Sequence, residues 1–379
     1  MKIRLPMGEG KSETYHLVGE HIAVRKPKAP FNRVVFAAAH VVADPLSAIG
    51  ALDWDRTLKF RHYLLDQGFG IAEAMDTSQR GMGLDWHVAH ELIMRSLKSA
   101  GPEASRIYSG CGTDHLLPSD AHLIDDVVKA YLEQLHAIQK LGGRVIMMAS
   151  RALVRVARSP DDYVKVYSRV LNEAEHPVIL HWLGEMFDPE LKGYWGSGDF
   201  SQAMKTCLAV INNNVAKVDG IKISLLDAEK EIVFRRRLAP HAKMYSGDDF
   251  NYPELIAGDE QGYSHALLGI FAAIAPAAAA ALTALAKGNT KKFHKLLGPT
   301  VPLSRLIFQA PTQYYKTGIV FLAWLNGHQE HFVMVNGAQS ARPLSYFTEV
   351  FKLADQAGLL LSPELAVKRM KTLLALYGQ

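Results

Sequence analysis

The chain has little cysteine. Cys111 and Cys207 are two residues in 379, too few for a disulfide framework and too far apart for a CxxC redox or zinc motif. A reducing compartment is the natural expectation. The first fifteen residues, MKIRLPMGEGKSETY, lack the apolar core of a secretory signal, which adds to the expectation of a cytoplasmic protein. Charge of one sign is lacking too. The 42 Lys and Arg residues are offset by 38 Asp and Glu residues interleaved along the chain, leaving no broad basic field for nucleic acid. The single tight basic run, Arg235–Arg237, reads as a solvated helix face. A glycine-rich nucleotide fingerprint is absent as well: after Phe36 the chain reads AAAHVVADP, and GMG at Gly81–Gly83 is a loop turn. One uncharged stretch, Ala266–Ala286, has the length of a membrane span. It is rich in alanine and carries Pro276 where a helix can begin, so it reads as a buried barrel element leading into a packed helix.

What the chain does contain is an ordinary globular composition, 49% hydrophobic and 21% charged. From residue 33 onward, short apolar runs rich in β-branched or small residues alternate with longer amphipathic stretches, the rhythm of parallel β/α units. The expected strands are Val34–Ala38, Gly70–Met75, Arg106–Gly110, Arg144–Ala149, Pro177–His181, Gly220–Ser224, Lys243–Ser246 and an eighth near Gly262–Ala266. Helical segments such as Asp125–Leu141 and Asp161–Glu175 lie between them. Eight such units predict a closed (β/α)8 TIM barrel over residues 33–290. Residues 1–32 form an N-terminal extension with a possible hairpin in the alternating stretch Thr14–Val24, suited to packing or assembly. Residues 291–379 read as a C-terminal helical region packed on the barrel, with helices near Leu303–Phe308, Tyr314–Leu325, Tyr346–Ala357 and Pro363–Leu376.

In such a barrel, polar residues that end apolar strands mark the active face. Lys222, inside VDGIKISLL, is the sharpest case: a lysine in a buried strand must reach solvent, find a counter-charge such as Asp219 or Asp248, or be used. Desolvation lowers an amine's pKa and supplies the unprotonated nucleophile that attacks a carbonyl carbon.

GIKIS, Gly220–Ser224, resembles the Schiff-base strand of the dihydrodipicolinate synthase and N-acetylneuraminate lyase family, with Lys222 on the imine lysine and Ser224 on the polar position after it. AMDTSQRGMGL resembles the family's Gly-Thr-Thr-Gly-Glu loop, so Thr77 and Ser78 fall on the hydroxyl pair that binds a keto acid's carboxylate. Asp76, Gln79 and Arg80 replace the family's two glycines and glutamate there. YSGDDFNYPELIAGDEQG resembles the segment after the seventh strand and puts Gly247 and Asp249 on positions that hold a substrate's polyol tail. HPVILHW resembles the fifth-strand signature, with His181 where the family has its catalytic tyrosine. PTQYYKTGIVFLAWLNG resembles its C-terminal helical region. The likeness spans residues 34 to 325 and implies a class I aldolase, lyase or hydro-lyase acting on a 2-keto acid or keto-sugar compound. It further implies a homodimer or homotetramer; no cofactor is expected, and the charge pattern and the reading of Ala266–Ala286 leave neither nucleic acid nor membrane as an expected partner. At the end of the fourth strand Ser150 and Arg151 replace the usual proline and aromatic residue; Arg151 meets either a substrate anion or a surface acid.

Two competing readings accompany it. Glu73, His181 and Asp248 on different strand ends suit a divalent-metal sugar isomerase or epimerase, and loss of the tyrosine suits an idle barrel that only binds a metabolite. The pairs His87/His90 and His328/His331 lack the HExxH order and read as exposed helix pairs rather than metal ligands.

Overall fold

The computed structural model describes every residue except Glu9, Gly19, Ala48 and Ile49. Two strands, β1 (Lys2–Gly8) and β2 (Lys11–His16), pair antiparallel, and eight more close into a parallel barrel. The barrel strands are β3 (Val35–Ala38), β4 (Gly70–Glu73), β5 (Ile107–Cys111), β6 (Arg144–Met147), β7 (Val178–Leu183), β8 (Val218–Ser224), β9 (Lys243–Ser246) and β10 (His265–Leu268). They neighbour one another in chain order and β10 pairs with both β9 and β3, so the sheet has no free edge. With helices between its strands, the architecture is the predicted (β/α)8 TIM barrel, and a helical C-terminal region follows it in the chain. Among the described residues no helix is long and apolar enough to cross a membrane.

The chain divides into two compact units. One comprises Arg33–Ala39 and Gly70–Leu268 and holds all eight barrel strands; the other comprises Met1–Asn32, His40–Phe69 and Gly269–Gln379. In the first, Phe36, Ala38, Ala72, Ile146, Ile179, Tyr245 and Leu267 from six strands meet in one buried cluster, the filled interior of the barrel. Each large apolar side chain buried there contributes about 1.5–3 kcal/mol, which is why apolar residues recur at every second position of these strands. Outward residues such as Ile221 and Ile223 are buried as well, as strands covered by helices require. Several helices start where an acidic or hydroxyl side chain accepts from the first turn, as Asp85, Asp199 and Asp227 do. In the second unit, Phe321, Trp324, Phe332 and Phe347 pack together, and Asp355 accepts from Tyr15 OH and the Val18 amide, each at 2.8 Å, anchoring the N-terminal segment.

Three local expectations need correction. The hairpin is formed by Lys2–Gly8 and Lys11–His16 rather than Thr14–Val24; after Leu17, whose amide still donates to Met1 O, the Val18 amide bonds Asp355. The eighth strand begins at His265, because Asp259 and Gly262 exchange backbone hydrogen bonds in a turn that occupies the expected start. The Arg235–Arg237 run is not uniformly solvated. The Arg235 side chain is only 8% exposed and binds Ser264 and Asp259, whereas Arg236 remains on the surface beside the same aspartate.

Candidate active site

Tyr245 belongs to the barrel interior, and Lys222 is its register partner on β8; His181 on β7 is in turn the partner of Lys222. Side-by-side residues of parallel strands share a face, so all three point inward. Ile179 and His181, two residues apart, agree with this assignment. Lys222 is buried at 8% exposure. Its shaft runs past Gly247, the first residue after β9, whose amide donates to the Ile223 carbonyl at 2.8 Å. A β-carbon on Gly247 would come within 2.8 Å of Lys222 Cε and 2.3 Å of Ser224 Oγ, so a residue without a side chain is what lets loop and lysine approach. Ser224 Oγ also lies 3.2 Å from His181 Nε2. Lys222, Ser224, Gly247 and His181 therefore form one contiguous group.

Burial pushes the Lys222 ammonium below the ordinary lysine pKa, while the charges of Asp76 and Asp249 act in the opposite direction. The carboxylates that a local reading would pair with it are engaged elsewhere. Asp219 binds Lys243 Nζ and Tyr245 OH, both at 2.5 Å. Asp248 accepts from the Phe250 and Asn251 amides and from the Asn251 side chain. His181 is held well below the usual histidine value, by its complete burial first and by Lys222 second, so it is a neutral imidazole. Its Nδ1 is buried with no hydrogen-bond partner among the described residues.

The segment following β4 carries Asp76, whose charge acts on Lys222. Ala74 (φ 52°) and Gln79 (φ 63°) both sit in the left-handed region that non-glycine residues avoid, and between them Asp76–Ser78 make a 3₁₀ turn. Arg80 holds this strained segment. Its guanidinium donates to the Ala74 and Gly110 carbonyls, to Gln134 and, through two nitrogens, to Asp114. The turn's own polar groups are largely spent. Ser78 N–H donates to Met75 O, Gln79 N–H to Asp76 O and Arg80 N–H to Met75 O, and the Ser78 hydroxyl donates to Ala39 O at 2.7 Å. Thr77 is buried beside Ser78.

On the opposite side of Gly247, Asp248 and Asp249 are both buried. Glu231, buried beneath them, accepts from Ser246 and Ser264, and burial pushes its carboxyl up to about 8, with Asp248 adding to the rise. Burial likewise raises Asp248 above the usual carboxylate value.

Glu73, His181 and Asp248 do not combine into a ligand set. Glu73 accepts from Ser96 and the Ala74 amide, and among the described residues no group of three or more His, Cys, Asp or Glu side chains is placed to hold a metal ion. The HQEH histidines are not an exposed pair: His328 is packed on Tyr63 and Phe60, and His331 Nδ1 accepts from the Val333 amide. Ser150 caps the helix Arg151–Val156 and contacts Thr113, while Arg151 forms surface pairs with Asp188 and Glu190.

Sequence reasoning named Lys222, His181, Thr77, Ser78, Ser224, Gly247 and Asp249. It gave no role to Asp76 or Arg80, although both were visible as charged replacements in a motif of small residues.

No curated protein matches the chain. Among solved structures, the fold resembles a prophage protein of the dihydrodipicolinic acid synthase family from E. coli K12, crystallised in complex with pyruvate, at TM-score 0.68 and 13% identity. That match covers 86% of this chain and 99% of the other. Dihydrodipicolinate synthase from Aquifex aeolicus matches at TM-score 0.65 and 13% identity, covering 87% and 99%. The enzyme from Thermotoga maritima matches at 0.65 and 14%, covering 86% and 100%. At these identities the likeness is one of fold, and it agrees with the resemblance read from the motifs. A family model matches residues 3–379, and the chain belongs to that family, DUF993, described as a protein family of unknown function.

Proposed function

We propose that the protein is a class I lyase that forms an imine between Lys222 and a keto acid or keto-sugar compound, then breaks or makes a carbon–carbon or carbon–oxygen bond. The observation that carries this reading is Lys222 itself. It is a lysine on the inner face of a barrel strand, buried, depressed in pKa by that burial, and packed against a glycine that leaves its shaft room. A structural lysine would be expected in direct contact with a carboxylate, and the two that the sequence reading offered, Asp219 and Asp248, bond elsewhere. Fold relatives that include dihydrodipicolinate synthases, one of them holding pyruvate, support the same class.

The neutral amine adds its lone pair to the carbonyl carbon. The carbinolamine oxygen then departs as water, leaving a protonated imine. In cleavage, the bond between the α- and β-carbons breaks, its electron pair forms the enamine double bond as the imine π pair moves to nitrogen, and the β-hydroxyl gives its proton to a base and becomes the carbonyl of the departing fragment. The resulting enamine takes a proton on carbon, and water hydrolyses the imine to return the free lysine. His181 is neutral and hydrogen-bonded to Ser224 beside Lys222, which suits the pair to pass protons in both directions. Asp249 and Gly247 would face the distal part of the substrate, with Thr77 and Ser78 walling the other side.

Borohydride reduction with a panel of 2-keto acids and keto sugars, followed by intact mass and peptide mapping, tests the reading. A reduced adduct on Lys222 that vanishes in Lys222→Ala is expected. A folded protein that gives no adduct with any compound would sink the imine mechanism.

A further inference from the structure

We propose that Glu231 is a positioning residue for Lys222: from the outer side of β9 it holds Ser246, and through Ser246 it keeps Gly247 against the shaft of the lysine. The proposal rests on the imine reading for what Lys222 does and goes beyond it in naming what holds the amine in place.

Strand alternation puts Glu231 and Lys222 on opposite sides of the barrel wall. Tyr245 points inward and is the register partner of Lys222, so the next residue, Ser246, points outward beside its own partner Ile223. Its hydroxyl meets the helix Ala228–Arg235, where Glu231 is 1% exposed. Ser246 Oγ lies 3.0 Å from one Glu231 carboxyl oxygen, and Ser264 Oγ lies 2.7 Å from the other. Ser246 ends β9 and Ser264 immediately precedes β10, so one carboxyl group ties both ends of the connection between these strands. Ser246 Oγ also accepts from the Asp248 amide at 3.3 Å, and the Gly247 amide donates to the Ile223 carbonyl at 2.8 Å. Gly247 is therefore bracketed by two residues joined through one serine oxygen. This is the point at which a β-carbon would come within 2.8 Å of Lys222 Cε.

Space filling does not account for an acid here. A leucine would occupy a similar volume without the cost of taking a carboxyl group out of water. The cation one turn further along the helix, Arg235, is directed to Ser264, the Leu255 carbonyl and Asp259, and among the described residues it is the two serine hydroxyls that bond Glu231. What the carboxyl group supplies is direction. A serine hydroxyl without a fixed partner samples several staggered positions, whereas Ser246 held by Glu231 keeps its oxygen toward the Asp248 amide. Without that restraint the first residues after β9 can relax away from β8. The cover over the Lys222 shaft then opens to water, which raises the ammonium pKa toward its ordinary value and moves the amine off its position.

Two reactions on the full-length protein test the proposal, and the first does not depend on the imine reading. In reductive methylation with formaldehyde and cyanoborohydride, labelling of Lys222 is measured across pH against the exposed Lys165 in the same sample, by peptide mapping. Glu231→Leu and Ser246→Ala should each move the acid limb for Lys222 to higher pH by about one unit. In borohydride trapping with 2-keto acids and keto sugars, the same two variants should react about tenfold more slowly or worse. Glu231→Gln, which keeps an acceptor for one serine and a donor for the other, should restore both readouts. Ser264→Ala, and Val166→Ala in the core behind another strand, should lower the melting temperature and leave both readouts at native values. A folded Glu231→Leu or Ser246→Ala protein with the native methylation profile overturns the proposal. An equal shift in Ser264→Ala also overturns it, since the carboxyl group would then act on general stability. Failure of every keto compound to trap on the native protein removes the imine reading, and the methylation profiles alone then decide whether Glu231 positions the lysine.

Discussion

Gly247 and Lys222 are in contact across the β8–β9 edge of the barrel, and the contact is so close that a methyl group on Gly247 would sit 2.8 Å from Lys222 Cε. The same methyl would lie 2.3 Å from Ser224 Oγ and 2.7 Å from the Ile223 carbonyl oxygen, so it would meet strand backbone as well as the two side chains. The position of the amine is therefore set by a backbone that has no side chain at this point.

Gly247→Ala is expected to displace Lys222 and Ser224 together. Overpacking of this kind costs about 1–3 kcal/mol, and a misplacement of about 1 Å lowers reaction at the amine by about a hundredfold. Thermal melts and the rate of reductive trapping on Lys222 check it; an alanine variant that traps at the native rate would contradict the contact.

The pH dependence of trapping has a definite sign. Imine formation needs the neutral amine, and burial places its pKa below the ordinary lysine value of about 10.4. The acid limb of the rate profile therefore lies below that value. Asp76 and Asp249 favour the charged ammonium, so Asp76→Asn and Asp249→Asn should each move the limb to lower pH. Rate–pH profiles of the three proteins decide the matter, and a shift toward higher pH would refute the assigned proximity.

Arg80→Ala should be among the more damaging substitutions in the barrel. The guanidinium is almost wholly buried, and its loss takes a charged donor from Asp114, Gln134 and the Ala74 and Gly110 carbonyls. Removal of one partner from such a pair costs about 3–5 kcal/mol. Lysine should rescue little, because an ammonium cannot reproduce the forked geometry. Denaturant titration measures the loss, and a change within experimental error would show that the network holds nothing in place.

Glu231 gives stability its own pH signature. With its carboxyl pushed up to about 8, the folded protein keeps a proton that the unfolded chain releases near 4.5. This contribution is complete below 4.5 and is lost as pH rises through 8, by a few kcal/mol in all. Glu231→Gln, which mimics the protonated acid, should flatten the decline of melting temperature over that window. If the decline persists unchanged in the variant, Glu231 is not its source.

The barrel was legible because its signals are local. Runs such as VFAA, RVIM and KMYS alternate with amphipathic stretches, and seven expected strands fall within a few residues of the observed ones. The eighth was displaced by a turn, Asp259–Gly262, whose backbone pairing no apolar pattern announces. The hairpin was misplaced for a related reason: alternation continues past His16 in the sequence, but Asp355, more than three hundred residues later, captures Val18. Lys222 stood out because a charge inside an apolar strand is rare whatever surrounds it.

The amino-acid sequence alone determined that there would be a closed parallel barrel, that β8 would carry an inward lysine, and that a glycine would follow β9. Each of these follows from side-chain period or backbone freedom over a few residues. Which carboxylates face that lysine was decided only by the tertiary structure. Asp219 is three residues from Lys222, yet about 10 Å back along the strand, where Lys243 and Tyr245 take it. Asp76 is nearly one hundred and fifty residues away, yet in the folded barrel its charge acts on Lys222. Electrostatic partners are set by distance through space, and distance along the chain does not report it.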